Sequence, residues 1–160
     1  MGTRGAIGVM HGDKAKVIYC HWDSYLEGVG RILFDHYDSA KANHLVALGG
    51  ISSLKPNIDI PEGVEHTFDK PAEGITVFYD RDRGEKGNEF SVCFSDADMY
   101  DKFGWCEYFY IMKDGVWYVS EGQDSEWREL AVALAELDID KDEEQRLDAE
   151  SVLIKQLVGA

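Results

Sequence analysis

The sequence is poor in the residues that build metal centres and disulfide scaffolds. Its 160 residues include three cysteines and five histidines. Cys20, Cys93 and Cys106 show no C-x-x-C spacing and the histidines no H-E-x-x-H pattern, so the sequence indicates neither a zinc site nor a redox pair. The apolar and aromatic neighbours of the cysteines instead predict buried free thiols. We therefore expect no metal and no cofactor.

Long apolar runs are absent as well. No run approaches the roughly 20 residues that a membrane-spanning helix needs, and residues 1–16 lack the apolar stretch of a secretory signal. Apolar residues still make up 44% of the chain and aromatic residues 12%, which is enough to bury a core. These features predict one soluble cytoplasmic domain over residues 1–160 and no association with a membrane.

Basic residues are scarce relative to acidic ones. The chain holds 16 lysines and arginines against 31 aspartates and glutamates, a net charge of −15. Residues 121–150 alone contain twelve acids and three bases, a net charge of −9. Such a surface repels phosphate, which argues against direct nucleic-acid binding, and attracts a basic protein surface. The alternative is a well-solvated face that keeps the protein soluble.

Turn residues between β-rich runs predict two hairpins. Gly12-Asp13-Lys14 separates runs 6–11 and 15–21, and Lys113-Asp114-Gly115 separates runs 105–112 and 116–120. Further strands are expected over 74–79 and 89–94, with irregular chain over 51–72 and a charged loop over 80–88. We expect an α+β fold whose antiparallel sheet of about four to six strands is built chiefly from these hairpins, with about three to five helices packed on it.

Helical periodicity begins after Ser24. Ser24-Tyr25-Leu26-Glu27 fits a capping box, so a helix is expected from there to about Tyr37. Shorter helices are predicted over 41–48 and after Ser95, whose hydroxyl should cap the helix.

Two more helices are predicted in an acidic helical C-terminal part, about 121–160. The first runs from about Ser125, and the second spans about 141–157 with Asp140 as its cap. The second helix should turn Leu147, Val152, Leu153 and Leu157 toward the core.

The stretch HWDSYLEGVGR, residues 21–31, combines groups that can carry chemistry. His21 and Asp23 alternate at a strand end, so an acid–base pair is one interpretation and local hydrogen bonding is the other. Gly28 and Gly30 lie inside the predicted helix and lack the third glycine of a dinucleotide site. Close packing of the helix on the sheet is therefore the better explanation of both glycines.

A second group of candidate residues lies in the charged loop. Arg81 and Arg83 stand beside glycines in DRDRGEKG and could clamp an anion, although neighbouring acids nearly neutralise them. Together with His21 and Asp23, these two arginines are predicted to line a pocket, here called the candidate pocket.

Several stretches resemble a group of small proteins from tailed bacteriophages and prophages. They are MGTRGAIGV, VIYCHWDSYLEGVGRILFDHY, LVALGGISSL, FDKPAEGITVFYDRDRGE and WCEYFYIMKDGVWYV, which lie within the first 120 residues. Ser24 and Leu26 depart from the glycine and proline expected at these positions. The group has no established activity, so the resemblance implies a phage accessory protein and no catalytic residue.

Two functions follow as hypotheses. The first is a binding protein in the cytoplasm of an infected host cell. It would occupy a basic surface on a host or defence protein, one that normally holds nucleic acid, through Glu126, Glu129, Asp142 and Glu143. The second is a small enzyme or a small-molecule or nucleotide-binding protein that uses the candidate pocket. The sequence leaves open whether the protein catalyses a reaction and which oligomeric state it adopts.

Overall fold

The computed structural model describes residues 2–123 and 125–158. These residues form a mixed, mostly antiparallel sheet with helices on both faces, which confirms the α+β class. The strands are β1 (Gly5–His11), β2 (Lys14–Cys20), β3 (Ile51–Ser53), β4 (Val77–Phe78), β5 (Ser91–Cys93), β6 (Tyr108–Lys113), β7 (Val116–Ser120) and β8 (Arg128–Glu129). The helices are α1 (Arg31–His36), α2 (Ser39–Ala47), α3 (Tyr79–Arg83), α4 (Asp96–Lys102) and α5 (Leu130–Val158), and a π-helical turn, Leu26–Gly30, precedes α1.

Both predicted hairpins are present and supply the centre of the sheet. Strands β1 and β2 pair antiparallel, as do β6 and β7. The two hairpins join through a parallel pairing of β1 with β6, in which Gly5 lies opposite Tyr108. The strand order is β4-β3-β2-β1-β6-β7-β8, and β5 pairs with β2. The described residues thus give eight strands, more than expected, because short strands from the connecting segments extend the sheet.

The two faces of the sheet carry separate cores. Residues alternate along β1 and β6, so Ile7 and Tyr110 face one core while Ala6 and Phe109 face the other. The first core packs under α1, α2 and the first turns of α5. The second core is smaller and lies beneath α4, where Met99 is its buried helical residue. This second face is the less completely covered of the two.

The capping box predicted at Ser24 is wrong. Ser24 is fully buried and its hydroxyl donates to the backbone carbonyl of Cys20 at 3.4 Å. Tyr25 precedes the π-helical turn, which has no side-chain cap. The Ser95 cap is confirmed, since its hydroxyl accepts a hydrogen bond from the Asp98 amide at 3.0 Å.

Two connecting segments contain more regular structure than predicted. The irregular segment over 51–72 begins with β3, which pairs in parallel with the end of β2 at Cys20. The charged loop over 80–88 begins with α3, which ends at Gly84 in a left-handed conformation with a φ of 72°. Contacts with the rest of the fold stabilise both short elements. A segment of three to five residues is too short to show a helical or strand period, so the sequence pattern does not predict it.

The acidic C-terminal part contains one continuous helix instead of two, and this helix begins at Leu130, after the strand β8, and not at about Ser125 as predicted. Helix α5 runs without a break through Asp140, which therefore caps no second helix. Only its first turns are buried, at Leu130, Ala133 and Leu134. The four residues predicted as an inner face, Leu147, Val152, Leu153 and Leu157, are 53–73% exposed, so that prediction is wrong. Among the described residues, no helix is long and apolar enough to cross a membrane.

Candidate functional site

The candidate pocket residues at the end of β2 do not form an acid–base pair. His21 Nδ1 lies 2.7 Å from the hydroxyl of Tyr19, and its ring packs edge-on against Trp22. Burial and the nearby charge of Arg4 lower the pKa of His21, which favours the neutral imidazole. Asp23 is exposed and adopts a left-handed φ of 58°. Its carbonyl accepts a hydrogen bond from the Val29 amide at 2.8 Å, so Asp23 organises the start of the helix.

The predicted anion-binding residue Arg81 instead contacts backbone carbonyls and side chains of the protein itself. Its guanidinium donates to the carbonyl of Ile58 at 2.5 Å and to that of Thr76 at 2.9 Å. It also lies 4.5 Å from the centre of the Phe78 ring and 2.8 Å from Asp82. These contacts join α3 to two connecting segments, which is a structural role.

Asp82 lies at the centre of this network, and its side chain is 2% exposed. The Phe78 amide and Arg81 donate to its carboxylate. His66 Nδ1 accepts from the Ala72 amide, so Nε2 carries the proton that faces Asp82 at 3.2 Å. Burial alone would raise the pKa of Asp82, but the hydrogen bonds outweigh it and hold the pKa below its usual value.

Arg83 is separate from this network. It is exposed, lies over the ring of Phe68 at 4.7 Å and approaches Glu85 at 3.7 Å. No hydrogen bond or ion pair within residues 2–123 and 125–158 joins His21 or Asp23 to Arg81 or Arg83. The structure therefore gives no geometric support to a shared pocket of these four residues.

The feature that stands apart from the fold is the exposed part of α5. The last hydrogen bonds and ion pairs between α5 and the rest of the described protein, here called the body, join Asp138 to Arg31 at 2.6 Å and Lys141 to Glu27 at 2.5 Å. These contacts, together with the pairing of Glu27 and Arg31, raise the pKa of Arg31 and lower that of Glu27. Residues 142–158, here called the arm, extend beyond them for roughly 25 Å at 1.5 Å per residue.

The arm carries large apolar side chains that no other part of the described chain covers. Leu147, Leu153, Ile154 and Leu157 are 53–73% exposed and lie within a sector of about 120° at 100° per residue. The same sector contains Arg146, which pairs with Glu143 and Glu150, each at 3.6 Å. Asp142, Glu144 and Asp148 form no ion pair with any residue that the structure describes. The arm therefore offers both apolar contacts and free carboxylates.

The four predicted interaction residues fall into two groups. Asp142 and Glu143 begin the arm, whereas Glu126 and Glu129 lie just before α5, whose first residue is roughly 18 Å along the helix from the start of the arm. Glu129 lies in β8 opposite Tyr118. All four are exposed. The exposure of the apolar residues of the arm is not predictable from helical spacing alone, because the same spacing describes a buried face. One feature of the sequence does argue against burial. Residues 138–151 are mostly acidic or polar and contain only two large apolar residues, Ile139 and Leu147.

Comparison with known proteins does not assign this surface to a family. No protein family, curated protein or solved structure matches the chain. Within the described parts of the chain, no group of three histidine, cysteine or acidic side chains is placed to hold a metal ion. The candidate site therefore consists of the arm, together with the predicted interaction residues Glu126 and Glu129 just before α5.

Proposed function

We propose that the protein acts by binding another protein through the arm. The observation that carries this proposal is the exposure of four large apolar residues, Leu147, Leu153, Ile154 and Leu157, on the part of α5 that lies beyond its last ion pair with the rest of the described protein. Exposed apolar surface of this kind is typical of helices that lie in an apolar groove of a partner. The free carboxylates of the arm require a basic rim around that groove.

The charge of α5 supports a partner surface that normally holds nucleic acid. Residues 136–150 contain eight acids and two bases, a net charge of −6. Spread over roughly 21 Å of helix, this is one net charge per ~3.5 Å, close to the ~3.4 Å per charge of a single DNA strand. The resemblance to phage proteins is the reason for proposing that such a partner is a host or defence protein in the cytoplasm of the infected cell.

The capture experiment compares the immobilised chain with an arm variant in host lysate. Replacing Ile154 and Leu157 by serine removes two exposed apolar contacts and leaves the buried part of α5 unchanged. A partner that the unchanged chain retains, and that the variant releases, supports the proposal. Equal retention of every captured protein by both chains contradicts it.

Charge reversal in two matched pairs then locates the electrostatic contribution. The arm variant replaces Asp142 and Glu143 by lysine, and the β8 variant replaces Glu126 and Glu129 by lysine, so that both variants change the net charge equally. We expect the arm variant to associate with the captured partner about tenfold more slowly at low ionic strength, and the β8 variant to be slowed less. An unchanged association rate for the arm variant contradicts the electrostatic part of the proposal.

A competition experiment tests the nature of the partner surface. Short duplex DNA should compete with the unchanged chain for the partner.

A further inference from the structure

A cavity of about 380 Å³ opens on the less covered face of the sheet, and no residue of the arm lines it. Its floor is apolar and is formed by Ala15 of β2, Ile111 of β6 and Met99 of α4, each at most 9% exposed. This volume lies in the range of small-molecule sites, roughly 300–1,000 Å³. The floor and the volume together suit an apolar body about the size of one substituted benzene ring.

Aromatic side chains form the walls of the cavity. They come from three separate parts of the chain. Phe94 directly follows β5, Tyr118 lies in β7, and Trp127 directly precedes β8. Trp127 is fixed in place, since its Nε1 donates to the carboxylate of Asp96 at 3.1 Å. The Phe94 ring is 66% exposed although it stands beside this apolar space. Aromatic rings that line a cavity can attract an organic cation that lies over a ring face.

The charged groups at the rim favour the same ligand. Asp13 in the β1–β2 turn and Asp96 at the start of α4 place two carboxylates on the rim, against a single base, Lys113. The net charge of −15 on the whole chain adds a potential that opposes anions. Neither Asp13 nor Lys113 takes part in an ion pair within the described residues.

From these observations we infer that the cavity binds a small organic cation, an ammonium group attached to an aromatic or aliphatic body. The body occupies the apolar floor, while the ammonium group lies among the aromatic walls and the carboxylates of Asp13 and Asp96. This site does not depend on the arm or on its partner.

Three probes of one shape and different charge test the inference. The full chain is titrated with 4-phenylbutylammonium, 4-phenylbutanol and 4-phenylbutyrate, and binding is followed by NMR at the Trp127 indole and the amides of 94–96. The ammonium compound should give saturable shifts there, the alcohol should bind at least about threefold more weakly, and the carboxylate should not saturate. Absence of saturable shifts at about 10 mM ammonium compound, or equal affinity for the alcohol, overturns the inference.

Matched variants assign the contacts. Asp13→Asn and Asp96→Asn should each weaken binding of the ammonium compound about threefold, while Asp69→Asn, another exposed acid, should not. The asparagine at position 96 keeps an oxygen that can accept from Trp127, and Asp13→Asn provides a second measurement should α4 be disturbed. Phe94→Ala should weaken binding, whereas Phe34→Ala removes an exposed ring elsewhere and should not. Equal binding by the Asp13, Asp96 and Phe94 variants and the unchanged chain contradicts the site.

Discussion

At the residue scale, Gly28 and Gly30 in the stretch that begins at His21 are required for different steric reasons. A Cβ atom on Gly28 would lie 2.1 Å from the carbonyl oxygen of Asp23, a backbone atom that cannot move aside. A Cβ atom on Gly30 would lie 3.2 Å from the hydroxyl of Tyr110, a side chain of the sheet. Close packing on the sheet thus explains Gly30 and not Gly28, whose neighbour is the left-handed turn at Asp23.

Alanine at these two positions should therefore have unequal effects. Gly28→Ala is expected to lower the free energy of unfolding by about 2–4 kcal/mol because the turn must rearrange. Gly30→Ala, in the same π-helical turn, should cost less than about 1.5 kcal/mol. Chemical denaturation of both variants measures the difference, and equal stabilities would remove this account of Gly28.

Asp82 should make stability depend on pH. Because its pKa is lowered in the folded protein, the carboxylate stabilises the fold above the ordinary pKa of about 3.9, and this stabilisation is lost as the pH falls through the folded-state value. Asp82→Asn should cost about 1–3 kcal/mol at pH 7, and its deficit should shrink toward pH 2. Urea denaturation across this pH range, with exposed Asp80→Asn as the control, checks the expectation. A deficit independent of pH would show that the charge is not the cause.

The three thiols should be unreactive in the folded protein. All are buried and free, as the sequence predicted, and burial raises the pKa of Cys20 to about 11 and that of Cys106 to about 12. At pH 8 little thiolate is present, and reagent access is blocked. A thiol reagent should therefore modify the native chain slowly and all three cysteines rapidly in denaturant. Rapid modification of Cys106 without unfolding would contradict the placement of this residue.

At the scale of elements, turn chemistry proved the most informative part of the sequence. Asp114-Gly115 predicts the β6–β7 hairpin because both residues adopt the positive φ that its turn requires, 49° and 79°. Strands of two or three residues such as β4 and β8 carry no period of their own and depend on their neighbours. Helix α5 shows a different limit of sequence patterns. The apolar residues of the arm have the same helical spacing as the buried Leu130 and Leu134, but no other part of the described chain covers them.

Leucines in the two halves of α5 should therefore differ in their effect on stability. Leu134 is 2% exposed and belongs to the first core, whereas Leu153 is 56% exposed. Leu134→Ala should lower the free energy of unfolding by about 2–5 kcal/mol, and Leu153→Ala should change it by less than about 0.5 kcal/mol. Thermal and urea denaturation compare the two. A large loss for Leu153→Ala would mean that the arm packs on the body.

At the scale of the whole molecule, the sequence established the fold class and the acidic surface, but not the place of the candidate sites. Asp13 and Asp96 are far apart in sequence, and only the sheet brings them to one cavity. Arg81 carries groups suited to anion binding, yet its donors reach backbone carbonyls whose positions the sequence does not specify. Composition predicted a charged surface, whereas the exposure of the apolar residues of the arm became evident only from the packing.

Hydrogen exchange of the complex tests the central claim most directly, namely that the arm is the binding element. In the free chain, amides of residues 142–157 should exchange rapidly, because these residues are exposed and no hydrogen bond or ion pair joins them to the rest of the described protein. In the complex with the captured partner, the same amides should become strongly protected, while those of β1 and β6 change little. Protection confined to the body, with the arm exchanging as fast as in the free chain, would contradict the account.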